Sequence, residues 1–400
     1  MERALADMER AFYLLDRGTR FNGVQVVTLR GAVDVALLRQ ALLRLQARHP
    51  LLRVRLRGDD KKLFLTDEDH GPLPLTVQTR RSDSDWIALA EDELNRPFDR
   101  EGDHLTRLQL LLGDDRSDLI LSHHHVTADA LSIIFAIRDL LTDLDTLRRG
   151  DILPPPESLP LRPPMPALLP PSARGLRLLP AMHHFFFKHV VGKPLRRAKT
   201  LPLSQPMPAA QRRNRVVHRA LVGETLTSLK ARVKKEQTTV HGALAAALLL
   251  STSHEVFAER IAQNRATKAG CFSAVNLRGD LTPSVGKMGL YISRVTTFHQ
   301  VVPLPSLMEP GARTSATADP DACAGRKAVP DDAADWAVYS HGFGDVAARF
   351  VKNFDAASPT LTGVTNLQKL PIPLKYEGAC RLRTTKSPSG CRWWDSFFWR

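Results

Sequence analysis

The sequence predicts a mixed α/β fold of two lobes, and three observations carry the prediction. Strand-like and helix-like segments alternate through residues 1–150, the pattern of sheets with covering helices. A proline-dense stretch, Leu153–Pro171, then breaks the rhythm, as a connector does rather than a packed element. Beyond it the strand–helix rhythm resumes without any internal sequence repeat, which suggests a second lobe of similar size. The expected boundaries are a first lobe over 1–150, a proline-rich and basic crossover over 151–214, a second lobe over 215–377 and an atypical tail over 378–400.

In the first lobe, Val24–Leu29 is β-branched and bounded by Gly23 and Gly31, which predicts a strand. Asp34 is a candidate N-cap, and Leu37, Leu38, Ala41, Leu42 and Leu45 then recur on one helical face until Pro50. Leu51–Leu56 alternates apolar residues with arginine at period two and is expected as a strand with one wet face. Leu73–Gln78, Leu105–Leu112 and Asp118–Ser122 are further strands, and Ser84–Leu94 is a helix. Asp129 opens an apolar helix through Ile133, Ile134, Ile137, Leu140 and Leu141.

In the second lobe, Val216–Val222, Cys271–Leu277 and Tyr291–Thr297 are expected strands, and Gly363–Leu367 is a short strand or the end of one. Glu224–Lys235 is expected to be helical. Val240–Ser251, rich in alanine and leucine, is expected as a helix buried on most sides. Gly311–Asp332 is small and polar, hence a loop, and Asp335–Phe354 is a helix with Trp336 in the core.

Composition excludes several classes. Hydrophobic residues are 43% and charged residues 24% of 400, a globular balance. The longest apolar runs, such as Val240–Leu250, fall short of the ~20 residues that a membrane span needs. The start, Met1–Arg10, is charged and has no secretory apolar core. Cys271, Cys323, Cys380 and Cys391 form no CxxC pair, so a reducing, cytoplasmic setting is expected. No GxGxxG or GxxxxGK[ST] loop is present, which argues against nucleotide-driven chemistry.

The net charge of +14 is local. Residues 174–235 hold 15 basic residues and one acidic residue, Glu224, while the remainder balances at 41 against 41. A neutral body with one basic belt is not a nucleic-acid binder. The belt suits a phosphate-bearing co-substrate, an acidic protein or a membrane surface, or it is a solvated connector. Phe185–Phe187, with Lys193, Arg196, Arg197 and Lys199, could contact a membrane peripherally or pack on the first lobe.

The most informative stretch is Leu119–Ala130, in which a strand ends in His123, His124 and His125 and a helix begins at Asp129. Three readings stand beside one another. The histidines are structural, or they bind zinc, or one of them is a general base near neutral pH. Neighbouring residues on a strand point to opposite faces, so consecutive histidines chelate one metal poorly, and no HExxH accompanies them.

His124-His125-x-x-x-Asp129 resembles the HHxxxDG motif of the condensation-domain and acyltransferase superfamily, whose fold is like that of chloramphenicol acetyltransferase. Five other segments agree in order: Arg48-His49-Pro50-Leu51-Leu52-Arg53, Arg96-Pro97-Phe98-Asp99, Thr238–His241, Val275–Arg278 followed by Val285–Gly289, and Val364–Leu367. The likeness covers residues 8–376. It is nearest to stand-alone acyltransferases of polyketide lipid assembly, such as phthiocerol/phthiodiolone dimycocerosyl transferases.

The resemblance implies two lobes forming a V around a central channel. It implies transfer of an acyl group from a thioester, on coenzyme A or an acyl carrier protein, to an alcohol acceptor. His125 would be the general base and His124 a support. Asp129 would be architectural, with Arg278 as its partner. Thr365, Asn366 and Arg278 would line the substrate site, and Arg196, Arg197 and Lys199 would dock the donor. No permanent cofactor and no metal are implied; coenzyme A or a phosphopantetheine thioester is a co-substrate. A monomer is expected. An amide-forming condensation domain and a non-catalytic binding relic are the alternatives.

Three positions depart from the family pattern. Ala130 and Gln368 replace glycines, and the DFGWG element has no counterpart, since Gly342–Asp345 does not match it. Residues 378–400 lack a strand pattern and end in Trp393, Trp394, Phe397, Phe398 and Trp399. The expectation is an incomplete second lobe with weak activity.

Overall fold

The computed structural model describes residues 2–59, 62–68, 71–99, 104–171, 211–259, 263, 267–282, 287–301, 360–367, 370–373, 376 and 381–382. The loop expected at Gly311–Asp332, the helix at Asp335–Phe354 with Trp336, the phenylalanines 185–187, Arg196, Arg197, Lys199, Gln368 and residues 383–400 lie outside the described residues.

The elements of the first lobe are β1 (Glu2–Ala4), α1 (Asp7–Thr19), β2 (Asn22–Arg30), α2 (Val35–Arg48), β3 (Val54–Gly58), β4 (Leu63–Asp67), β5 (Leu75–Thr79), α3 (Asp85–Asn95), β6 (Thr106–Leu112), β7 (Arg116–His124) and α4 (Ala130–Arg148). Those of the rest are α5 (Gly223–Lys235), α6 (Val240–Val256), β8 (Thr267–Asn276), β9 (Ile292–Val301), β10 (Thr360–Val364) and β11 (Arg381–Leu382). They form one five-stranded sheet, β11-β2-β7-β6-β5, and two three-stranded sheets, β1-β4-β3 and β10-β8-β9. The fold is the mixed α/β architecture that the sequence predicts.

Caps match the sequence signals. The Asp34 carboxylate accepts from Ala36 N–H at 2.8 Å and Leu37 N–H at 3.1 Å, and Asp129 accepts from Ser132 N–H at 2.8 Å. Each relieves donors that a helix start leaves orphaned. On β2, Val24 and Val26 face α3 with Trp86 and Leu94, while Val27 and Leu29 face the main core with α2 and α4. Both faces of this sheet are therefore covered. The α4 residues Ile133, Ile134, Ile137, Leu140 and Leu141 are at most 1% exposed. At about 1.5–3 kcal/mol per buried aliphatic side chain, this face anchors the helix and the loop before it.

Four expectations are corrected. Leu153–Pro171 is packed. Leu159, Met165, Leu168 and Leu169 are buried, and the segment bonds to both lobes through Leu159 N–H to Arg48 O and Thr282 N–H to Leu168 O. Proline removes donors, so the chain stays extended while its leucines still fill the core. Val216–Val222 is not a strand. Its alternation arises from lying on α3: Val216 N–H donates to Glu91 at 2.8 Å, and His218 meets Trp86 edge-on at 5.4 Å. The helix at Val240–Ser251 forms but is not buried on most sides, with Leu244 and Leu248 40% and 41% exposed. Leu51 and Leu52 belong to a 3-10 turn rather than to the strand, which begins at Val54. Within the tail, Arg381–Leu382 pairs antiparallel with Arg30 and Leu29 at the edge of the first-lobe sheet, so those two residues are strand.

Candidate active site

β7 delivers the histidines. Its side chains alternate, so Leu119 and Leu121 join the main core while Ile120 and Ser122 face α3. His123 and His124 therefore leave the strand on opposite sides, and His125 follows the last paired residue. All three are at most 3% exposed. His123 lies opposite Gly23 on β2, where a Cβ would overlap the imidazole ring. The glycine makes room for the ring.

His125 is held on several sides. Its Nδ1 lies 3.1 Å from Ala128 O. A carbonyl only accepts, so Nδ1 carries the hydrogen and the lone pair of the neutral ring is on Nε2. Phe12 stacks on the ring at 5.2 Å and Phe21 tilts against it at 5.2 Å. His123 meets it edge-on at 5.3 Å and gives its own Nε2–H to the same Ala128 O at 3.1 Å. Burial pushes His125 down to about 4, against the opposing pull of Asp129. Burial lowers His124 too, against Asp16, and carries His123 well below the ordinary imidazole range. The cluster is neutral at physiological pH.

Asp129 joins the two lobes. Its Oδ1 receives Arg278 Nη2 at 2.7 Å and Ser132 N–H at 2.8 Å, and its Oδ2 receives Tyr291 N–H at 2.9 Å. Arg278 also donates to Ser132 Oγ at 2.6 Å and to Asn276 at 3.2 Å. Ser132 Oγ in turn bonds both Gly289 O and Gly289 N–H. The guanidinium that the resemblance places both beside Asp129 and in the substrate site is thus 4% exposed and committed to this junction. Gly289 has φ 151°, and a Cβ there would overlap the Tyr291 ring.

Residues 11–160 match the family model described as Condensation domain, and residues 210–303 match that described as Phthiocerol/phthiodiolone dimycocerosyl transferase C-terminus. The chain belongs to the condensation-domain superfamily. Curated members similar to it include the linear gramicidin synthase of Brevibacillus parabrevis, 28% identical over 164 residues, covering 38% of this chain and 3% of that protein. Tyrocidine synthase 2 of the same organism is 29% identical over 157 residues, covering 38% and 4%. The chain thus spans a few per cent of the length of these relatives.

Among solved condensation-domain folds, the first condensation domain of the CDA synthetase superposes with a TM-score of 0.58 at 13% identity, covering 98% of this chain and 88% of that one. Polyketide synthase associated protein 5 from Mycobacterium tuberculosis gives 0.55 at 15% identity, covering 96% and 86%. At these identities the structural likeness speaks for the fold.

Within this condensation-domain framework the structure gathers His124, His125, Asp129 and Arg278 into one cluster. Thr365 and Asn366 are half-buried at the end of β10, where Leu367 packs on the main core. Sequence reasoning did not single out Phe12, Phe21, Asp16 or Ser132. Only Ser132 carried a usable signal, as the third residue after the Asp129 cap. Among the described residues, no group of three His, Cys, Asp or Glu could hold a metal ion, and no helix is long and apolar enough to cross a membrane. Cys271 is buried among apolar neighbours, which pushes its thiol up to about 11, far from a reactive thiolate.

Proposed function

We propose that the protein transfers an acyl group from a thioester to an alcohol, with His125 as general base. The observation that carries this reading is the fixed tautomer of His125: Nδ1–H is held by Ala128 O, and the ring is wedged between Phe12 and Phe21. Nε2 is then the basic atom of a neutral imidazole. The acceptor oxygen attacks the thioester carbonyl carbon while its proton passes to Nε2. The tetrahedral intermediate collapses, the C–S bond breaks, and the imidazolium returns the proton to the thiolate. An ester and a free thiol leave, and no acyl-enzyme forms. Thr365 and Asn366 are the candidate donors to the oxyanion. Arg196, Arg197 and Lys199 are the candidate docking residues for an anionic pantetheine donor, a role that makes donor KM rise with salt.

The curated relatives in the comparison are peptide synthetases, which favours a second reading with an amine acceptor and an amide product. Incubation with a panel of acyl-CoAs and acyl carrier proteins, against medium-chain alcohols and amines with mass detection of product, separates the two. His125→Ala should lower turnover by about 10²–10⁴-fold with the fold intact. Near wild-type turnover in that variant removes the mechanism, and a wild type inert to the whole panel favours a binding protein that has lost catalysis.

A further inference from the structure

Resting on the reading of His125 as the base, we propose that Asp16 is a positioning residue: it fixes the tautomer of His124 and, through Phe21, the aromatic slot around His125. Asp16 stands in the last turn of α1 and is 4% exposed. Its Oδ1 accepts Phe21 N–H at 2.7 Å, and its Oδ2 lies 3.5 Å from His124 Nε2. Val126 N–H donates to His124 Nδ1 at 3.1 Å. That bond requires a bare Nδ1, so the hydrogen of neutral His124 is on Nε2, facing the carboxylate. The Phe21 ring, whose backbone Asp16 holds, lies against His125 and stacks on Phe12 at 5.1 Å. One side chain therefore ties both histidines of the motif to α1.

The surrounding charges are matched elsewhere. Arg107 on β6 pairs with Glu93 of α3 at 3.1 Å and covers Phe98 at 3.8 Å, and the Phe98 ring is 6.1 Å from His124. Asp129 at the head of α4 pairs with Arg278. His123 on β7 is neutral. Among the described residues no Arg or Lys pairs with Asp16. A buried carboxylate without a cation is costly to keep, and here its partners are the Phe21 amide and the His124 ring.

Asp16→Asn exposes the role. The Asn oxygen can keep Phe21 N–H, which leaves an amide N–H facing His124 Nε2–H. Moving the imidazole hydrogen to Nδ1 relieves that clash but opposes Val126 N–H. One contact fails in either tautomer.

The test uses the full chain labelled with ¹⁵N-histidine, with His124 assigned by difference against His124→Gln. Long-range ¹⁵N–¹H correlation at neutral pH should show His124 protonated at Nε2 in the wild type and a mixed or inverted pattern in Asp16→Asn. Turnover of that variant should fall about 10²-fold, the scale of a misplaced catalytic group, with KM within about twofold. A wild-type His124 protonated at Nδ1 overturns the proposal even if the variant does not fold. So does an unchanged tautomer or an unchanged kcat in a folded variant. If His125→Ala is inactive while Asp16→Asn is normal, the base stands and Asp16 falls. If no acyl transfer occurs at all, the base reading falls and the tautomers still decide Asp16.

Discussion

The junction between the lobes is open to a quantitative test. Asp129→Ala removes three contacts at once: Arg278 at 2.7 Å, the Ser132 cap at 2.8 Å and the Tyr291 amide at 2.9 Å. The paired side chains are 5% and 2% exposed, so the guanidinium left behind stays in a dry site with only Ser132 Oγ and Asn276 Oδ1. Breaking one partner of such a pair costs about 3–5 kcal/mol, of which loss of the cap is roughly 1. Against a typical total of ~5–15 kcal/mol this is a large fraction. Asp129→Asn retains a cap oxygen and should cost less. Arg278→Met in the Asp129→Ala background removes the stranded charge, so the double variant should be more stable than the sum of the singles by at least ~2 kcal/mol. Urea unfolding midpoints give the cycle, and exchange of the Ser132 and Tyr291 amides locates the loss. Strict additivity, or an Asp129→Ala midpoint equal to wild type, would refute the reasoning.

Stability should fall as pH drops from about 6.5 towards 4, because burial lowers His123, His124 and His125 in the folded state while the unfolded chain titrates near 6.5. His125, at about 4, accounts for about 3 kcal/mol of that slope, which is absent above pH 7 and complete below its folded value; urea midpoints that stay flat from pH 7 to 4.5 contradict it. A second acid loss follows at lower pH. Burial raises Asp139, but hydrogen bonds from His49 and Arg138 outweigh it and hold the group at about 2, so its contribution is present above the unfolded value near 4 and vanishes as pH falls through about 2. Gly23→Ala should cost about 1–3 kcal/mol by overpacking against His123 and should depress turnover as well, since His123 and His125 share Ala128 O; a melt and a rate equal to wild type would show that the ring has room to shift.

What was legible in the sequence, and what was not, divides along one physical line. Periodicity reports which face of a segment is covered, but not by what. Val35–Arg48 and Ala130–Arg148 carried both a cap and a stripe, so their type and start could be read. Gln211–Arg219 carries an alternation of the same quality, yet its cover is α3 rather than a neighbouring strand, with Asn214 bonded to Asn95 and to the carbonyls of Arg20 and Leu94. No residue in that stretch distinguishes the two kinds of cover. The site divides in the same way. His124, His125 and Asp129 announce themselves by residue type. The features that decide which nitrogen of each ring is basic are the Ala128 carbonyl and the Val126 amide, backbone groups that almost any residue would supply. Asp16 comes from a helix far back in the chain, where an acidic residue before Arg17 looks like one more solvated charge. The chemistry of the motif is thus written in side chains, while its protonation is set by main-chain groups and by one distant carboxylate. A substitution that leaves the motif intact can therefore still change which histidine nitrogen bears the proton.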